Sequence, residues 1–100
     1  MNGYRLIVGP FAELDLQVAY EWYDLKKEGL GKEFLKEIDF IIDRIRQNPK
    51  QFGKIKKQIR MAVVKRFPFG VFFVQKEDLI NIIAVLHFSR NPKILRSRIK

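Results

Sequence analysis

Residues 82–92 have the sequence Ile-Ile-Ala-Val-Leu-His-Phe-Ser-Arg-Asn-Pro. An apolar run of this length that closes on Asn-Pro predicts a core strand of a sheet. His87, the only histidine of the chain, stands at the end of the strand, and Ser89 and Arg90 follow it. Polar groups on such a rigid support suit a site for an anionic partner.

Two more strand candidates precede this one, so the last part of the chain predicts a meander. They cover residues 59–67 and 70–75, and the final strand covers residues 80–88. The connections through Phe67-Pro68-Phe69-Gly70 and Lys76-Glu-Asp78 are short, which forces neighbouring strands to run antiparallel. The basic stretch before the meander, residues 50–57, is predicted to be a loop anchored by Phe52.

The first half of the chain predicts one strand and two helices. Tyr4-Arg-Leu-Ile-Val8 is a β-rich run that Gly9-Pro10 stops. Helices are predicted for residues 11–28 and 32–47, and the short Gly29-Leu-Gly31 connection folds them back as an antiparallel hairpin. Apolar residues at helical spacing predict the buried faces, and Trp22 is interpreted as core. On the first helix these are Phe11, Leu14, Val18, Trp22 and Leu25, and on the second Phe34, Leu35, Ile38, Ile41, Ile42 and Ile45.

The order of elements predicts an α+β fold, β-α-α-β-β-β, in which the N-terminal strand and the helical hairpin pack on a mainly antiparallel sheet. A length of 100 residues suits one domain covering residues 1–100. For the basic tail, residues 93–100, two states stay open. Either Ile94, Leu95 and Ile99 pack as a short helix, or the segment is flexible until a partner orders it.

The positive charge is concentrated in the second half of the chain. Residues 1–46 carry seven basic and nine acidic side chains, whereas residues 47–100 carry thirteen basic and two acidic ones. Such a field attracts phosphate backbones or acidic proteins. The candidates for nucleic-acid or target binding are Lys54, Lys56, Lys57, Arg60, Lys65, Arg66, Arg90 and Arg96.

Composition also predicts what the protein lacks. The chain has no cysteine, so it has no thiolate metal site and no disulfide, which suits a reducing cytoplasm. Neither a signal pattern nor an apolar stretch long enough to span a bilayer occurs. We therefore expect a cytoplasmic protein without a membrane partner, metal or cofactor.

Several short phrases, in a fixed order over almost the whole chain, carry a family resemblance. They are Ala19-Tyr-Glu-Trp-Tyr23, Gly29-Leu-Gly31, Ile45-Arg-Gln-Asn-Pro49, Ile59-Arg60, Lys65-Arg-Phe-Pro-Phe69 and Ala84-Val-Leu-His-Phe-Ser-Arg-Asn-Pro92 with Arg96 behind it. Together with the element order, they resemble the RelE/ParE toxin superfamily. The resemblance implies a growth-inhibiting toxin of a type II toxin–antitoxin (plasmid stabilisation) system, held inactive in a hetero-oligomer with its cognate antitoxin.

The family resemblance implies one of two activities. RelE-like toxins are metal-independent endoribonucleases that cleave messenger RNA on the ribosome, and ParE-like toxins inhibit DNA gyrase by binding it. For cleavage, His87 would act as acid or base, with Arg60, Lys65 and Arg90 stabilising the phosphate charge. However, Phe69 stands around where RelE-like nucleases place an arginine, and no tyrosine follows Tyr23. The ParE-like hypothesis, with no chemistry of its own, is therefore slightly favoured.

Structural alternatives remain open for the candidate residues. His87 is equally compatible with a half-buried histidine that donates a hydrogen bond. Arg60 fits an ion pair with a helix carboxylate as well as a bound phosphate or antitoxin carboxylate. A third hypothesis is a basic nucleic-acid-binding domain that is not a toxin. The phenylalanines of the meander are too many for one sheet face, so some are expected to receive an amphipathic, acidic antitoxin segment; they are Phe67, Phe69, Phe72 and Phe73.

Overall fold

The computed structural model describes residues 3–90 and 92–98. The α+β class and the predicted order of strand, helical pair and meander are confirmed, with one additional strand. The elements are β1 (Arg5–Val8), α1 (Pro10–Lys26), α2 (Leu30–Gln47), β2 (Lys54–Lys56), β3 (Ile59–Val63), β4 (Phe69–Lys76) and β5 (Leu79–His87), with short 3-10 helices at Pro49–Gln51 and Pro92–Arg98. Neither α1 nor α2 is long and apolar enough to cross a membrane.

One mixed sheet has the strand order β1-β5-β4-β3-β2. β1 runs parallel to β5, and every other pair is antiparallel. The prediction of a loop for residues 50–57 is wrong in part, because Lys54–Lys56 pairs with β3 as the edge strand β2. Lysine-rich sequence is common on short edge strands, where charge discourages pairing with other chains. Phe52 does anchor this region, since its ring packs edge-on against Phe73.

The helical hairpin depends on one carboxylate and on close contact at a glycine. Asp24 accepts hydrogen bonds from the backbone N–H groups of Gly29 and Gly31, at 3.0 and 3.2 Å. Gly29 has a φ of +87°, which glycine adopts without strain. A Cβ atom on Gly31 would lie only 2.7 Å from Tyr20, so the two helices cross closely at this point.

α2 packs as predicted, but α1 does not. Four of the residues predicted for the buried face of α2 are fully buried, and Leu35 and Ile42 pack partly against the same core. On α1 the buried residues are Ala12 and Ala19. The predicted core face of α1 is 53–87% exposed, so the interpretation of Trp22 as core is wrong. The exposed residues are Phe11, Leu14, Val18, Trp22 and Leu25, which we call the α1 stripe.

The sheet carries apolar clusters on both faces. Phe67, Phe69 and Phe73 belong to the main core under the helices, while Phe72 belongs to a second cluster on the other face. All four meander phenylalanines are buried. The expectation that some of them are exposed to receive a partner is therefore wrong, because three of the rings are buried on one face of the sheet and the fourth is buried on the other.

A register irregularity between β4 and β5 changes the alternation along β5. Phe73 pairs with Ile82 and Phe72 with Ala84, which leaves Ile83 as the extra residue of a bulge. Ile83 consequently packs in the second cluster while Val85 packs in the main core. Strict alternation along the strand would place Ile83 and Val85 on the same face, and the bulge separates them.

Two side chains close the open edge of β5. β1 ends at Val8, so the part of β5 after Ile82 has no neighbouring strand on that side. There, Asp15 of α1 accepts a hydrogen bond from the Val85 N–H at 2.9 Å. Arg98 donates to the Ile83 carbonyl at 3.2 Å and forms an ion pair with Asp15 at 2.5 Å. The carboxylate and the guanidinium thus satisfy backbone groups that a neighbouring strand would otherwise pair with.

The edge closure also holds the tail. Residues 92–98 form a short helix whose Leu95 is buried in the second cluster, with Ile94 packed against it. This arrangement corresponds to the packed state of the two that the sequence left open. Asn91, Ile99 and Lys100 lie outside the described residues.

We predict that Arg98→Ala lowers the free energy of unfolding by about 3 kcal/mol, because it leaves the Asp15 charge and the Ile83 carbonyl without their partner in a largely buried place. The side chains of Arg98 and Asp15 are only 9% and 11% exposed. Urea unfolding followed by circular dichroism measures the change. The matched control is Arg5→Ala, whose ion pair with Asp78 is mostly exposed and is expected to contribute nothing measurable. Equal effects of both substitutions would contradict the edge closure.

Candidate functional site

A groove of about 540 Å³ runs between α1 and the C-terminal end of β5. Its apolar wall consists of Leu14, Val18 and Trp22, all part of the α1 stripe. Its floor includes Tyr23, Phe69 and Val85, and its polar rim consists of His87, Ser89, Arg90 and the Asp15–Arg98 pair. We call this the α1 groove.

Small residues on α1 produce the groove. Because Ala12 and Ala19 face the sheet, α1 lies close to it without burying the side chains of the α1 stripe. Leu16 and Tyr23 of the same helix pack partly against the core. Burial raises the pKa of the Tyr23 hydroxyl, which lines the groove. A continuous exposed apolar stripe of this kind is uncommon on a monomer and usually marks an interaction site.

His87 is held in a defined orientation at the rim. Its Nδ1 accepts a hydrogen bond from the Ser89 N–H at 3.0 Å, and its carbonyl accepts one from the Arg90 N–H at 2.9 Å. Its ring packs edge-on against Phe69, with 5.3 Å between centroids. Because Nδ1 is an acceptor, the neutral ring carries its proton on Nε2, which is left to donate to a partner. The side chain is half-buried, and among the described residues its ring accepts a hydrogen bond rather than donating one.

The structure brings His87 and Arg90 together but not Arg60. Arg60 pairs with Phe73 on β4, and Phe69, four residues earlier on β4, pairs with His87. At about 3.3 Å per residue and about 4.8 Å between strands, the Cα atoms of Arg60 and His87 are separated by about 16 Å. Nη1 of Arg60 donates to the Phe52 carbonyl at 2.5 Å. This bond ties the chain before β2 to the sheet, in place of the ion pair with a helix carboxylate considered from the sequence.

Lys65 and Arg66 face α2 instead of the groove. Arg66 forms ion pairs with Glu33 at 2.7 Å and with Glu37 at 3.7 Å. Its hydrogen bond holds the pKa of the Glu33 carboxyl below the ordinary value. The Lys65 amine lies 5.9 Å from the centre of the Phe40 ring.

The other predicted basic residues lie on separate parts of the surface. Lys54, Lys56 and Lys57 belong to β2 and the turn after it, at the far edge of the sheet from β1. Arg96 is exposed on the C-terminal 3-10 helix. The predicted binding set therefore forms several patches, of which only the one at the end of β5 adjoins the α1 groove.

Sequence reasoning missed the apolar half of the groove. Helical periodicity places Leu14, Val18 and Trp22 in the core, and no sequence pattern connects Asp15 with Arg98. A signal for the first error exists in the sequence, because α1 has alanines at positions 12 and 19 on the face beside the stripe. No local signal exists for the second, since 83 positions separate the two charged residues.

We predict that iodide readily quenches the fluorescence of the native protein. Trp22 is the only tryptophan, it is 53% exposed, and the basic rim should concentrate an anion near it. Stern–Volmer titrations with iodide measure the accessibility of Trp22, and comparison with the cation caesium gives the sign of the electrostatic potential around it. Quenching that appears only after denaturation would show that Trp22 is core after all.

Comparisons with known proteins agree with this architecture. No family model matches the chain. The sequence is 28% identical over 96 residues to "Toxin ParE2" of Mycobacterium tuberculosis, in two strains, covering 95% of this chain and 91% of that protein. The fold matches a structure titled "Chromosomal ParDE TA system from P. aeruginosa" with a TM-score of 0.76 and 20% identity, over 84% of this chain and 95% of that one. The resemblance of the sequence phrases to the RelE/ParE toxin superfamily is thus confirmed, and the fold is the one seen in that ParDE structure.

Proposed function

We propose that this protein is a ParE-like toxin of a type II toxin–antitoxin system, neutralised by a cognate antitoxin and acting by binding DNA gyrase. Similarity to Toxin ParE2 and to a ParDE structure supports the class of protein. The α1 groove is the observation that supports an antitoxin partner, because it combines an exposed apolar wall with a basic rim.

The groove fits an amphipathic, acidic segment of an antitoxin. An apolar face of that segment would cover Leu14, Val18 and Trp22, and a half-exposed tryptophan is a common energetic anchor of interfaces. Carboxylates beside that face would meet Arg90 and the Nε2–H of His87. The apolar contacts supply most of the affinity, and the charges supply orientation and encounter rate.

Binding without chemistry agrees better with the geometry than RNA cleavage does. A cleavage site must hold its acid, its base and its cations around one phosphate. Arg60 is about 16 Å from His87 by strand geometry, and Arg66 is engaged with Glu33. Phe69 packs against the His87 ring and offers no charge. His87 and Arg90 remain adjacent, which keeps a RelE-like nuclease as the alternative to be tested.

Two assays of the purified protein separate the alternatives. We expect inhibition of gyrase supercoiling and no cleavage of ribosome-bound messenger RNA. His87→Ala should retain gyrase inhibition to within about tenfold, because the residue is a contact at the rim, whereas a nuclease loses about 100- to 10,000-fold without its acid or base. Lys57→Ala, in the turn at the far edge of the sheet, is the control for a general effect of lost charge.

Messenger cleavage by the parent that disappears in His87→Ala would replace the gyrase proposal with the nuclease. Inactivity in both assays, with the protein folded, would refute both modes and favour a basic nucleic-acid-binding domain.

A further inference from the structure

The α1 stripe has a symmetric spacing. Its residues stand at positions 11, 14, 18, 22 and 25, so the intervals of three, four, four and three are the same read from either end. At about 100° per residue, all five lie within about 40° of the direction of Val18, and the stripe is about 21 Å long. A helix face with this symmetry is complementary to a second copy of itself running in the opposite direction.

We propose that the free protein pairs with a second copy of itself through α1, in an antiparallel, two-fold symmetric arrangement centred on Val18. In this pair Val18 faces its own equivalent, Leu14 faces Trp22 of the second copy, and Phe11 faces Leu25 of the second copy. Each aromatic ring then meets an aliphatic side chain, and every contact occurs twice, as in an isologous interface.

The charges of the chain favour this face for self-association. α1 carries four carboxylates and Lys26, while the excess positive charge lies in residues 47–100. Two of the carboxylates are already satisfied, Asp15 by Arg98 and Asp24 by backbone N–H groups. Pairing through α1 therefore keeps the lysines of the β2 edge away from the second copy, while His87, Arg90 and Arg98 at the rim of the α1 groove lie beside the stripe.

The polar residues beside the stripe are also compatible with the pair. Gln17 and Glu21 flank the stripe on one side of the helix and are both exposed. Gln17 donates to Glu21 of its own helix at 3.3 Å. In the antiparallel arrangement it lies about 3 Å along the axis from the level of Glu21 of the second copy, so an amide is near a carboxylate.

The size of the stripe predicts a weak dimer. An exposed apolar patch of this kind is on the order of 500 Å², so two copies would bury on the order of 1,000 Å², which is the lower limit for a specific interface. We therefore expect a dissociation constant of the dimer in the micromolar range.

If the proposed antitoxin occupies the α1 groove, it competes with the second copy for Leu14, Val18 and Trp22. This competition alone rests on the proposed function.

Sedimentation equilibrium of the purified chain over a concentration series tests the pairing. We expect a monomer–dimer equilibrium that shifts toward the dimer as salt is raised, because salt screens the repulsion between two chains of net charge +9. Val18→Glu places two carboxylates at the centre of the pair and should abolish the dimer. Phe40→Glu, which removes an equally exposed apolar side chain from α2, should leave it unchanged. A monomer at every concentration, or a dimer that survives Val18→Glu, would overturn the proposal.

Cross-linking tests the antiparallel geometry, because the natural chain has no cysteine. With a short bis-maleimide, Val18→Cys should give a covalent dimer. Leu25→Cys alone should not, but a mixture with Phe11→Cys should. Self-cross-linking of Leu25→Cys as efficient as that of Val18→Cys would indicate a parallel pair and refute the model. These measurements involve neither gyrase nor an antitoxin, so their failure is distinct from failure of the proposed function.

Discussion

The position of two alanines on α1 determines most of what is distinctive in this molecule. Ala12 and Ala19 are the buried residues of the helix, and a helix that meets a sheet through alanines approaches it closely. The five side chains of the α1 stripe are then turned away from the core. The apolar wall of the α1 groove and the symmetric stripe both follow from this orientation. In physical terms, the protein leaves exposed apolar surface that its own fold does not cover, and such surface is stabilised by association.

The edge closure of β5 supplies the other half of the site. Asp15 stands on the same helix as the stripe, and its pairing with Arg98 fixes the C-terminal segment beside the groove. The same contact satisfies backbone groups of β5 where β1 has ended. One largely buried ion pair therefore links α1, β5 and the basic tail. Loss of this pair would disturb the rim of the groove as well as the stability of the fold.

The sequence was sufficient for the parts of the structure that local patterns specify. Apolar runs and short connections predicted the meander, and the periodic isoleucines of α2 predicted its buried face. Helical periodicity defined a face of α1 but could not tell whether the core or a partner covers it. The bulge at Ile83 and the distance between Arg60 and His87 depend on strand register, which is set by packing. His87 and Arg90 were found as neighbours because they are close in sequence, whereas Arg98 and Asp15 meet only through the tertiary fold.

The α1 stripe lies outside the core, and the orientation of α1 depends on this. The most direct test is urea unfolding of the triple variant Leu14→Gln, Val18→Gln and Leu25→Gln, at a concentration low enough to keep the protein monomeric. Substitutions on the surface should change the free energy of unfolding by no more than about 1.5 kcal/mol in total. Were these residues core, each would cost about 2–5 kcal/mol and the variant would not fold. A folded variant of nearly unchanged stability is the predicted result, and an unfolded chain would contradict the account.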